Sequence, residues 1–156
     1  MPMPICQTKF HGALTYAPEQ VLHIPSGLFG FTQETEFLLL ELPSARPMAF
    51  LQSIRSSNLC FISLPAQVIE GEYRFSMSGL DLQAFGYSES APPVMGKDVL
   101  CLALLTVGER QAITANLLAP IVIDIARHQG RQVIVNAPYS HRHPVSTPEL
   151  RRRADQ

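Results

Sequence analysis

ITANLLAPIVID, running from Ile113 to Asp124, and its continuation through Gln129-Gly130 into Arg131-Gln132-Val133-Ile134-Val135 decide the fold. Two apolar, β-type runs flank a turn-forming patch, which reads as a β-hairpin; carrying little charge, its strands are expected inside a sheet rather than at an edge. No nucleophile, metal cage or phosphate loop lies on this stretch. Function is therefore to be sought in binding rather than in chemistry.

Working outward, 156 residues suit one domain with a substantial core. Hydrophobic residues make up 46% and charged residues 16%, which excludes a disordered chain, and 13 prolines favour short strands and turns over helices. The expected class is mainly β: a small, barrel-like domain of short, mostly antiparallel strands with one or two short helices, spanning 1–145, followed by a basic polar tail over 146–156. The net charge of −1 conceals an asymmetry. Residues 1–126 hold six Lys or Arg against eleven Asp or Glu, whereas residues 127–156 hold six against two. An acidic body repels phosphate backbones and attracts basic proteins, so direct nucleic-acid binding would rest on Arg151-Arg152-Arg153 alone and is not expected.

Cys6, Cys60 and Cys101 are odd in number and widely spaced, which argues against a disulfide framework or a zinc site and fits a reducing cytoplasm. The N-terminus has no secretory pattern, and the longest uncharged apolar run, Val99 to Val107, is too short to span a membrane. No membrane association is expected.

Along the chain, Ile5 to Phe10 and Ala13 to Tyr16 read as short strands around Gly12, and Val21 to Ile24 follows a turn at Ala17-Pro18-Glu19-Gln20. Ile24-Pro25-Ser26-Gly27-Leu28-Phe29-Gly30-Phe31 reads as a tight loop folded over the core. Phe37 to Leu42, Phe50 to Ile54 and Cys60 to Leu64 are strand candidates, the last ended by Pro65; Val68-Ile69 and Tyr73-Arg74-Phe75 are shorter ones. Ser78 is placed to cap a helix running through Phe85, with Asp81 reaching back. Ser88 to Gly96 reads as an exposed loop, and Val99 to Val107 as a buried strand despite its leucines. Thr147 with Pro148 could begin one helical turn in the tail.

The chemical candidates are thin. His141-Arg142-His143 sets two imidazoles two apart, but two ligands do not make a metal site. Gly27-x-x-Gly30 has the spacing of a backbone-clamping loop, yet Leu28 and Phe29 fill it, and no Lys or Arg occurs between Lys9 and Arg46; a packing turn is the better reading. Cys60 and Cys101 lie in apolar runs that predict buried, inert thiols. Ser53 and Ser63 lack the setting of a catalytic serine. Glu34 with Glu36 and Glu70 with Glu72 read as solvated pairs. Asn116 interrupts the central apolar stretch, and a buried amide bonded to a neighbouring strand competes with a role in partner recognition. Gln52-Ser53 is read in the same way.

Together, Ile24-Pro25-x-Gly27-Leu28-x-Gly30-Phe31, Phe50-Leu51-Gln52-Ser53, Thr114-x-Asn116-Leu117-x-Ala119-Pro120-Ile121-Val122-Ile123 and Gly130-Arg131-Gln132-Val133 resemble the flagellar assembly factor FliW family, and Tyr139 and Arg142-His143 continue the match. The resemblance covers roughly residues 8 to 145 in the right order. Leu118 stands where the family usually has Lys, Asp124 where Asn is common, and Leu64 where an acidic residue often precedes the proline. What the resemblance implies is a β-barrel-like protein without catalytic activity or cofactor that binds flagellin and the RNA-binding translational repressor CsrA, relieving repression of flagellin translation while flagellin competes for it. Gln52, Asn116, Leu118, Tyr139 and Arg142 are the residues it points to for partner contact. The alternative is a flavin-type, cofactor-binding small barrel or enzyme.

Overall fold

A computed structural model describes residues 2–146. Its centre is a closed barrel of seven strands: β3 (Val21–His23), β4 (Glu36–Leu40), β5 (Ala49–Ser53), β6 (Cys60–Pro65), β7 (Val99–Val107), β9 (Ile121–Asp124) and β10 (Gln129–Gln132). From β3 to β7 the chain is an antiparallel meander, and the ring closes where β7 pairs with β9 and β10 runs parallel to β3, Gln129 opposite His23. Closure removes the free edges that a sheet of this hydrophobicity would otherwise expose. Two strands lie beyond the ring, β8 (Ile113–Ala115) on β7 and β11 (His143–Val145) on β8. At the other end of the chain β1 (Ile5–Thr8) and β2 (Gly12–Thr15) form a separate hairpin.

Period-two alternation sorts the barrel residues onto two faces. Inward go Leu22, Ile24, Phe37, Leu51, Leu102, Ile121 and Ile123, joined by Leu28 from the loop after β3. Outward from β7 and β9 go Val99, Cys101, Ala103 and Val122, which meet Leu64, Tyr73, Phe85, Leu117, Val133 and Val135 in a second cluster. The interior is filled by these side chains.

The loop Ile24–Phe31 folds over the core as expected: Leu28 is buried, and Leu28 and Phe31 exchange both backbone hydrogen bonds, at 3.2 and 2.7 Å. Gly27 has φ +67°, and a Cβ there would lie 2.5 Å from the Thr32 carbonyl oxygen, so the turn admits no side chain.

Two expected strands are corrected. Val68-Ile69 lies in a one-turn helix, α1 (Ala66–Ile69), begun at Pro65, whose fixed φ and missing N–H suit the entry to a helix. Tyr73-Arg74-Phe75 belongs to no ladder. The capped helix is present as α2 (Gly79–Phe85): the Ser78 hydroxyl accepts from Asp81 N at 3.1 Å, and Gly86 ends it with φ +84°. The expected turn at Thr147 lies outside the described residues.

Candidate partner-binding site

The stretch read as half of a hairpin is two strands on one neighbour. Ile121 to Asp124 does form the hairpin, with Gln129 to Gln132, but Ile113 to Ala115 pairs with β7 and β11 instead. Both pieces run along the same strand: Leu105 faces Ala115 and Leu102 faces Ile121, so three steps along β7 are matched by six along its partner. The extra residues loop out between Asn116 and Pro120, an extended form of bulge.

Nearly every backbone group of this break is tied. Asn116 N donates to Leu104 O (2.9 Å), Leu117 N to Ser140 O (3.0 Å), Val135 N to Leu118 O (2.9 Å) and Val133 N to Pro120 O (3.1 Å). Asn116 Oδ1 accepts from Ala119 N at 2.9 Å, so the half-buried amide closes its own loop and does not bond a neighbouring strand. Gln132 Nε2 donates to Ala119 O at 3.0 Å while its Oε1 accepts from Phe29 N at 2.7 Å, joining the break to the loop after β3. The break is thus a rigid ledge. Leu118 is half-buried against the outer cluster.

Tyr139 reaches the same region. Its ring lies 4.5 Å from that of Tyr73, whose buried hydroxyl donates to Leu117 O at 2.7 Å, and its own hydroxyl meets both Arg74 N (3.2 Å) and Arg74 O (3.3 Å). Burial pushes the Tyr73 phenol far above its ordinary range, with smaller contributions from Cys101 and Tyr139. Arg142 is exposed, and its backbone N–H is held by Ser140 Oγ at 3.0 Å. Asn116, Leu118 and Tyr139 are therefore gathered around one ledge, with Arg142 on the adjoining segment.

Gln52 is not among them. It is fully buried in β5, and Nε2 donates to Ser53 O (3.0 Å), Leu59 O (3.2 Å) and Ser57 O (3.3 Å), pinning the turn into β6. Its part in any partner contact is indirect, through that turn. Glu34 caps the same turn, accepting from the hydroxyls of Ser53, at 2.6 Å, and Ser56. Those hydrogen bonds, Ser53 before Ser56, hold its carboxyl below the usual range against an upward push from burial, with a further downward pull from Arg55. Glu34 is thus structural, whereas Glu36 is exposed as expected.

A polar clamp on the other side of the ledge was not legible beforehand. The β9–β10 hairpin is fastened to α2 by Tyr87 OH donating to Asp124 Oδ2 (2.9 Å), Arg127 Nη1 to Phe85 O (2.6 Å), and Arg131 Nε to Asp81 Oδ1 (2.8 Å). Arg127 sits on the carbonyl end of the helix and Asp81 in its first turn, both matching the helix dipole. The one available signal was the pair of arginines, Arg127 and Arg131, that follow Asp124 closely in the chain.

Thiol chemistry finds no activated group. Cys101 is sealed in the outer cluster and burial pushes its thiol up to about 12. Cys60 is half-buried rather than buried, because the β1–β2 hairpin covers it only partly, with His11 Nε2 3.7 Å from its sulfur. Burial raises this thiol as well, against what a nucleophile requires. Among the described residues no three His, Cys, Asp or Glu side chains are grouped to hold a metal ion, and no helix is long and apolar enough to cross a membrane.

This architecture has known counterparts. The family model described as FliW protein matches residues 5–145. The chain is 36% identical over 145 residues to the flagellar assembly factor FliW of Desulfitobacterium hafniense strain Y51, covering 92% of this chain and 91% of that one. To the flagellar assembly factor FliW of Bacillus subtilis strain 168 it is 31% identical over 143 residues, 90% of this chain and 96% of the relative. A solved structure described as the crystal structure of the flagellar assembly factor FliW superposes with a TM-score of 0.79 at 28% identity, covering 93% of this chain and 99% of the other.

Proposed function

This chain belongs to the FliW family, and on that premise we propose that it is a flagellar assembly factor acting as a non-enzymatic, cytoplasmic binding protein. Its partners are the translational repressor CsrA and flagellin: held by this protein, CsrA no longer represses flagellin translation, and flagellin displaces it in a chaperone-like exchange. The observation that carries the reading is the family match over 5–145, which includes the ledge and the clamp.

The geometry supports it in two ways. Two residues in which chemistry was sought are structural: Cys101 is buried in the outer cluster and Glu34 caps a turn. An acidic body, with Glu36, Glu41, Glu72 and Glu89 all exposed, suits docking onto a basic, RNA-binding protein and speeds their encounter. Asn116, Leu118, Tyr139 and Arg142 are the assigned contacts.

Purified protein should retain CsrA and, separately, flagellin on an affinity column, and the CsrA association rate should fall as salt rises. Failure to retain either protein removes the reading. A salt-independent rate removes the electrostatic part alone.

A further inference from the structure

The segment Tyr73-Arg74-Phe75-Ser76-Met77 has the burial of a strand without the pairing of one. Exposure alternates along it: Tyr73 is buried, Phe75 and Met77 are half-buried, and Arg74 and Ser76 are exposed. Yet the amide and carbonyl groups of Phe75, Ser76 and Met77 make no hydrogen bond to backbone or side chain among the described residues. This is the stretch whose sequence reads as a strand, so the propensity is expressed and only the partner strand is lacking.

What faces it is a cleft of about 380 Å³. Glu89, Pro92, Pro93 and Met95 line it as well, and the prolines have no N–H with which to pair. The floor is the outer face of the barrel: Val99, Cys101 and Val122, respectively 3, 4 and 1% exposed. Met77 and Met95 give it an adaptable apolar lining. A helix would satisfy its own backbone and, at about 10 Å across, would stand above so small a cleft. An extended segment fits: four residues span about 13 Å, the length of Arg74 to Met77, and present apolar side chains to the floor at every second position.

Charge defines the ends. Arg74 is exposed and its guanidinium makes no ion pair among the described residues; Glu89, which also lines the cleft, is exposed as well. We propose that this cleft binds an extended segment of a protein partner as an added strand on Phe75–Met77, with apolar residues at alternate positions, an acidic residue beside Arg74 and a basic one beside Glu89. The proposal goes beyond the CsrA and flagellin reading, since it specifies the backbone form of the bound segment and holds for any partner that carries one.

The test uses the full chain and a synthetic panel of acetylated, amidated hexapeptides. Each has Val, Ile, Leu, Phe or Met at alternate positions, with Asp at one end and Lys at the other, in both orders. At least one should bind, slowing amide hydrogen exchange tenfold or more at alternate residues of the segment, either Ser76 or the pair Phe75 and Met77, since an added strand reaches only every second amide. Methylating the peptide's alternate backbone nitrogens keeps every side chain but removes the donors, and should weaken binding at least tenfold. Met95→Glu, which leaves the backbone of the segment untouched, should do the same. No binding by any member of the panel overturns the proposal. So does equal binding of the methylated peptide, or binding without protection at residues 75–77. Because the probes are peptides, these results are independent of whether CsrA and flagellin are retained.

Discussion

The barrel interior and the layer packed on its outside are built from different materials. The inner cluster is aliphatic apart from Phe37 and the partly buried Phe61, and needs nothing but volume: Leu22, Ile24, Leu51, Leu102, Ile121 and Ile123 point inward from the barrel, joined by Leu28 from the loop after β3. The outer cluster mixes Tyr73, Phe85 and Cys101 with partly buried methionines, and hydrogen bonds fasten its cover, Tyr73 to the Leu117 carbonyl and Tyr87 to Asp124. The lesson is a division of labour. Apolar volume closes the ring, while directional bonds hold a ledge and a helix over one face.

Truncating the interior should be the most damaging change. Phe37→Ala removes a fully buried ring from the barrel centre and is expected to cost about 3–5 kcal/mol in urea unfolding, whereas Met95→Ala in the outer layer should cost less than about half of that. Equal losses would erase the distinction. Next comes Gly27→Ala, which forces a side chain onto the Thr32 backbone at positive φ; about 2–3 kcal/mol is expected from the same measurement.

The outer layer should respond to lost hydrogen bonds rather than lost volume. Tyr73→Phe leaves the Leu117 carbonyl without its donor and is expected to cost about 1–2 kcal/mol with little change in packing. Alkali should also single out this layer. The Cys101 thiol ionises near 9.0 when unfolded but burial pushes it up to about 12 in the fold. The unfolded chain therefore loses its proton first. This contribution is fully present below pH 9 and is lost as pH rises toward 12, so unfolding free energy should fall over that range and fall less in Cys101→Val. An identical decline in the variant would contradict the assignment. The smallest effect belongs to the partly exposed Arg131–Asp81 pair: Asp81→Asn should cost about 0.5 kcal/mol, shrinking with added salt.

The same division explains what could be read from the sequence. The run Val99–Val107 matches β7 residue for residue, and the Ser78 cap and the Ile121–Gln132 hairpin are present, because each depends on local pattern and turn chemistry. The break at Asn116–Pro120 was illegible, since Leu117, Leu118 and Ala119 look like any strand interior and only the register against β7 shows that three residues are surplus. Val68-Ile69 has β propensity but sits just after Pro65, and the helix won. At the candidate site, Asn116 stands out in the sequence as the polar residue in an apolar stretch, and the fold brings it near Leu118 and Tyr139. Gln52 was drawn in by the family motif, although its amide is spent on the turn into β6. Position in a motif does not separate residues that hold the fold from those that meet a partner.

The most direct test of that separation is to map backbone amide shifts of the isotope-labelled protein on adding CsrA and flagellin in turn. The account predicts changes concentrated in the outer layer, at residues 73–77, 89–95, 116–118 and 139–142, with the interior strand residues around Phe37 and Leu51 unmoved. Changes confined to the β1–β2 hairpin, or none with either protein, would contradict it.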